Sequence, residues 1–302
     1  MQMYALRVFL QPQDNDLFKS SNAIKDIRHF EQALIFASEE NVKAKKTPSA
    51  LPPKKYSLKI SIAPSNGVMA GIVSKGLKIY GHDENFEEYD VDNYPPIMWF
   101  WDQTEQILLV EKKTQLFKSA EATAKAFEDL ANNQLLTEAG LRAYIQPCLE
   151  EDDFWQEYAS YQFVEKVEFN LVTPNLFGET KEELRKSLND VVEETNASCF
   201  TTVFENRDGN LKLKNSRWVE NLISWVKDGG GMWSMKGKKN KDSKYTTASS
   251  SKTAKLIVVD GKISELELNN YSAEDISFLL ENKRVEYTFK GETIENDNKI
   301  NS

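Results

Sequence analysis

Two cysteines and two histidines in 302 residues leave little material for several kinds of chemistry. Cys148 and Cys199 are too few for a disulfide framework or a Cys-rich zinc site and form no Cys-x-x-Cys pair, so both are expected to be buried bystanders. His29 and His82 lie far apart, and neither His-Glu-x-x-His nor Gly-x-Ser-x-Gly occurs, so the common zinc-protease and serine-hydrolase routes lack their residues. No apolar run approaches the ~18 residues of a membrane helix. Met1 to Leu10 has no basic start, apolar core or small-residue cleavage site of a secretory leader. The expectation is a cytoplasmic protein with no membrane partner.

What is present supports a packed core: 40% of residues are hydrophobic and 11% aromatic. The net charge of −9 argues against coating nucleic acid with the whole surface, because affinity there comes from lysines and arginines displacing counterions. Local basic patches are still allowed. One gathers Lys43, Lys45, Lys46, Lys54 and Lys55 around a proline-rich loop over 42–55, and the other gathers Lys236, Lys238, Lys239, Lys241 and Lys244.

Periodicity predicts an α+β fold of mixed sheets with helices packed on one face. Met3 to Leu10 reads as a first strand with Tyr4, Leu6, Val8 and Leu10 on one side, followed by a helix capped at Ser21 or Asn22 and running to about Glu40. Ile97-Met98-Trp99-Phe100-Trp101 is almost wholly apolar and reads as a strand buried on both faces, with Ile107 to Lys113 its hairpin partner. Ser119 starts a second helix, and Leu141 to Gln146 is a further strand. A boundary near 160 divides the chain into an N-terminal α+β domain over 1–160, a C-terminal one over 161–290 and a disordered tail over 291–302.

The stretch from Val164 to Lys236 organises the second half. Val167 to Val172 alternates apolar and polar, Thr180 and Glu183 have capping-box spacing, and Cys199 to Phe204 is rich in β-branched and aromatic residues. Asn206 to Gly209 turns the chain into Asn210 to Lys214, predicting a hairpin. Arg217 to Lys227 has Trp218, Leu222, Trp225 and Val226 on one broad face and stops at Gly229-Gly230-Gly231. This β-α-β-β-α-β order predicts a ferredoxin-like unit. Met235 to Ala254 reads as a mobile polar loop, 256–268 as a hairpin, Ser272 onward as a helix, and Arg284 to Phe289 as a last strand.

Three functions follow, from different classes. The lead is a nucleic-acid-binding component taking DNA or RNA: Trp233 would stack a base while Lys236, Lys238, Lys239, Lys241 and Lys244 track phosphates. The alternative is a nuclease. Asp102, then Glu111-Lys112-Lys113 on the adjacent strand, resembles the site of restriction-endonuclease-like nucleases, which implies Mg²⁺ held by Asp102 and Glu111 with Lys113 stabilising charge at the attacked phosphate. No other cofactor is implied. The third is an interaction or scaffold subunit binding a protein partner or forming a homo-oligomer. Gly229-Gly230-Gly231 follows a helix instead of leading into one, so it reads as a helix stop, not a phosphate loop.

Val167 to Asn175, Glu194-Thr195-Asn196-Ala197 and Phe204 to Leu211 are together similar to uncharacterised bacterial families found among phage-defence genes. The resemblance covers the C-terminal half and implies a cytoplasmic accessory or effector acting on or sensing nucleic acid. It gives no residue a role.

Overall fold

The structure, a computed structural model, describes residues 1–13, 26–46, 55–149, 153–172, 195, 197, 199–227, 229–250, 254–259, 263 and 267–287. It is α+β. Strand β1 (Gln2–Pro12) lies at the centre, buried along nearly its whole length. Its alternation divides its side chains as the period of a strand requires: Tyr4, Leu6, Val8 and Leu10 enter one core layer, Met3 and Ala5 the other.

Six further strands complete this sheet: β2 (Tyr56–Ser65), β3 (Val68–Lys75), β6 (Ile97–Asp102), β7 (Ile107–Glu111), β8 (Leu141–Pro147) and β13 (Leu256–Val258). The path runs β13-β1-β7-β6-β3-β2, with β8 pairing Leu6 to Pro12 of β1 beside β13, which takes Gln2 to Tyr4. Both faces carry helices. On one side lie α1 (Arg28–Lys46), α2 (Ala120–Ala131) and α3 (Gln134–Glu138), which cover Trp99, Trp101 and the even-numbered side chains of β1. The other side is covered by α6 (Ala273–Tyr287), through Ile276 and Leu280 against Met98, Phe100 and Leu109. One-face packing therefore does not describe this sheet, because its central strands are apolar on both faces and each face needs a cover.

Caps match their residues where the chemistry is local. Ser119 Oγ accepts from the Ala122 N–H at 3.2 Å, and Ser272 and Asp275 exchange bonds as a capping box. For α1 the side-chain acceptor is Asp26, whose carboxylate takes the Arg28 N–H at 2.9 Å; Ser21 and Asn22 lie outside the described residues. The helix also runs to Lys46, so 42–46 is not loop. Trp101 Nε1 donates to the buried Glu31 at 2.9 Å, and desolvation pushes the Glu31 carboxyl above its usual range.

A second sheet has the order β10-β9-β11-β12, made of β9 (Phe163–Val172), β10 (Cys199–Glu205), β11 (Gly231–Lys238) and β12 (Thr246–Ser249), each pair antiparallel. Helix α4 (Asp153–Ser160) and helix α5 (Arg217–Lys227) supply its core partners: Phe154 from α4, and Leu222, Trp225 and Val226 from α5. Among the described residues the third strand of the expected β-α-β-β-α-β order is absent. Residues 210–214 make no hairpin with β10, because Asn210 bridges Val164 in parallel and Leu211 O accepts from Tyr158 Oη at 2.7 Å. The Thr180–Glu183 capping box, the proline-rich 47–54 loop, the second arm of the 256–268 hairpin and the tail lie outside the described residues.

Two glycines permit close approaches between chain segments. At Gly231 φ is +142°, and a Cβ there would meet Asn170 O at 2.0 Å; at Gly229 φ is +83°, and a Cβ would meet the Arg7 side chain at 2.5 Å. The glycine run is thus both a helix stop and a close approach between chain segments. Residues 256–258 and 273–287, placed by sequence with the C-terminal unit, pair and pack on the first sheet. Arg284 to Tyr287 are helical, not a strand. No helix among the described residues is long and apolar enough to cross a membrane.

Candidate nucleic-acid interface

The polar stretch after Gly231 is ordered by the sheet. Met235 to Lys238 continue β11, and β12 returns antiparallel with Lys236 opposite Thr247, so the expected mobile loop is a hairpin whose turn spans 239–245. Alternation sends Trp233 and Met235 inward and Met232, Ser234, Lys236 and Lys238 outward.

Trp233 is therefore core. It is 4% exposed, meets the Phe154 ring edge-on at 5.3 Å, and has its backbone N–H bonded to Ser250 Oγ at 3.1 Å. A base cannot reach its face, and stacking is removed from its role. The aromatic that the turn does present is Tyr245, 40% exposed, which the sequence reading passed over. The Lys238 ammonium lies 4.5 Å and the Lys236 ammonium 5.1 Å from its ring centroid. Lys239, Lys241 and Lys244 are exposed on the same turn.

The acids nearby are few. Lys236 Nζ bonds Glu165 Oε1 at 2.9 Å, and Lys166, across the sheet from Lys236, bonds Glu168 Oε2 at 2.6 Å. That bond holds the Glu168 carboxyl below its usual range and raises the Lys166 ammonium. Within 236–245 five lysines face one acid, Asp242. A turn of this charge can attract phosphate, and Tyr245 adds a flat, partly exposed ring beside its lysines. Of the other basic cluster, Lys55 sits 3.6 Å from Asp129 and over the Tyr56 ring, while 43–46 have no described side chains and 54 lies outside the described residues.

The trio Asp102, Glu111 and Lys113 is not assembled. Asp102 pairs with Ile107 at one end of the β6–β7 hairpin, and Glu111 lies at the other end, where its Oε2 accepts from the Met98 N–H at 3.1 Å. Asp102 lies four positions along the strand from Met98, or about 13 Å at the rise of a strand. Lys113 Nζ donates to Pro96 O at 3.1 Å and sits 3.3 Å from Glu111. Asp102 has no exposed surface and is fully engaged: Arg284 gives it Nε at 2.8 Å and Nη2 at 3.1 Å, Tyr287 Oη donates at 3.0 Å, and the Glu105 N–H at 3.2 Å. Burial, then the Asp102 charge, drives the Tyr287 hydroxyl far above its usual range. This is a clamp holding α6 to the sheet, and sequence spacing could not foretell it because its partners are 182 and 185 residues away. Among the described residues no group of three or more His, Cys, Asp or Glu could hold a metal ion.

Two smaller expectations also change. Cys148 is buried but Cys199 is exposed on β10, and Trp218 is 43% exposed, off the buried face of α5. Neither a protein-family model nor a curated protein matches the chain.

Proposed function

We propose that the protein binds single-stranded nucleic acid through the β11–β12 turn. The observation that carries this reading is the Tyr245 ring, 40% exposed, with the Lys236 and Lys238 ammonium groups 5.1 and 4.5 Å from its centroid and the exposed Lys241 and Lys244 on the same turn. Ammonium groups neutralise phosphates and release counterions, while an exposed ring accepts any base by stacking. The rest of the acidic surface repels the same polyanion and so confines it to this turn.

Fluorescence anisotropy with labelled oligothymidylate and oligouridylate tests the reading. Binding is expected to weaken steeply between about 50 and 200 mM salt. Lys238→Glu with Lys239→Glu should abolish it, and Tyr245→Ala should cost about 1–3 kcal/mol, the range for one stacked base. Unchanged affinity in the lysine variant, with circular dichroism showing the fold kept, would refute the proposal. So would equal binding of an oligomer without bases, such as polyphosphate, unaffected by Tyr245→Ala.

A further inference from the structure

Strands β4 (Leu77–His82) and β5 (Glu88–Asn93) form an arm. They leave the large sheet between β3 and β6 and, among the described residues, pair only with each other. Every residue in them is exposed or partly exposed. A two-stranded ribbon is marginal alone in water and gains stability when one face is covered.

The register makes this ribbon two-faced. Ile79 stands opposite Val91 and Gly81 opposite Tyr89, all on one face, while Lys78, Tyr80, His82, Glu88, Asp90 and Asp92 share the other. On the charged face Lys78 bonds Asp90 and His82 Nε2 lies 3.8 Å from Glu88, and three acids against one lysine leave that face net acidic. The apolar face stands in water. Ile79 is 53%, Val91 52% and Tyr89 50% exposed, and Phe86 at the tip, with φ +64°, is 86% exposed. Gly81 keeps the face flat, since a Cβ there would come within 2.8 Å of the Tyr89 ring that lies over it.

We infer that a second copy of this chain covers the face, the two arms stacking through Ile79, Tyr89 and Val91 with Phe86 at the rim. A two-fold contact needs a self-complementary patch, and Ile79, Tyr89 and Val91 carry no charge to oppose their own image. The acids lie on the far face and the tip. Stacked ribbons sit about 10 Å apart, so the acids of two far faces are separated by more than a Debye length in ordinary salt. A basic partner would be drawn to that far face and would leave the apolar one in water. The four side chains expose on the order of 100 Å² each. Two copies therefore bury roughly 1,000 Å² with their flanking backbone, the lower limit for a specific interface. The dimer is accordingly concentration-dependent.

Sedimentation velocity on the full chain, from about 1 to 200 µM, tests this. A monomer–dimer equilibrium is expected, and it should be unchanged or tightened by added salt, because salt screens the remaining acid–acid repulsion. That is opposite in sign to the salt effect on nucleic-acid binding. Ile79→Lys with Val91→Lys should raise the dissociation constant at least about 100-fold by setting like charges against each other. Phe86→Ser should weaken association less, and Tyr80→Ser, on the charged face, should leave it as in the parent. A parent chain that stays monomeric throughout would overturn the inference, as would dimers that survive the double lysine substitution or are lost equally in Tyr80→Ser. Because the arm is exposed, circular dichroism should show the body folded in each variant.

Discussion

Replacing Asp102 by Asn tests the clamp between α6 and the large sheet. The carboxylate is wholly buried and accepts four hydrogen bonds, two of them from Arg284. Asparagine removes the charge and turns a donor toward groups that are themselves donors. Removing one member of a buried pair costs about 3–5 kcal/mol, since the other is left charged and unpaired. The Arg284 side chain is 23% exposed, so water recovers part of that loss and about 2–4 kcal/mol is the better figure. For a chain of this size each kcal/mol lowers the melting temperature by about 2–4 °C, giving a fall of about 5–15 °C. Chemical and thermal unfolding measure the loss, and hydrogen exchange should show 273–287 opening first. Adding Arg284→Met should recover part of the stability, because the stranded cation is then gone. A shift within about 0.5 kcal/mol of the parent would refute the clamp.

Two other outcomes follow from the core. Glu31→Gln keeps an acceptor for Trp101 but removes a carboxylate whose folded pKa is raised by burial, a group whose ionisation opposes folding. The folded state holds that proton more tightly than the unfolded one, so the parent loses stability as pH rises from the ordinary carboxylate range through the raised folded value. The variant should therefore melt higher at neutral pH and lose that advantage in acid; an advantage independent of pH would contradict the assignment. Gly231→Ala, placing a Cβ against Asn170 O at φ +142°, should cost more than the ~1 kcal/mol of an ordinary glycine replacement, read from urea midpoints. No loss would mean that the strand start relaxes freely.

The strands and most helices were legible because their causes are local. A period of two in Met3–Leu10, an apolar run at Ile97–Trp101, a serine cap at Ser119 and the broad apolar face before three glycines identify β1, β6, α2 and α5 from neighbours in the chain. The lysine cluster was legible too, since charge is a property of residues and not of packing. Its aromatic member was not: Trp233 and Tyr245 are both aromatic residues close to lysines, and only the pairing of β11 with β9 and β12 decides that one points inward and the other stays in water.

Tertiary structure alone decided the rest. Asp102 and Glu111 flank a hairpin in sequence, yet antiparallel register puts them at opposite ends of it. Arg284 to Tyr287 would suit a strand, but their side chains satisfy a buried carboxylate from one helical turn, and that contact outweighs local propensity. Composition shows neither that Leu256–Val258 returns to β1 nor that Ile79 and Val91 remain uncovered. Burial depends on which distant segments meet, and their meeting is set by the summed apolar area of whole faces, not by any residue's neighbours along the chain.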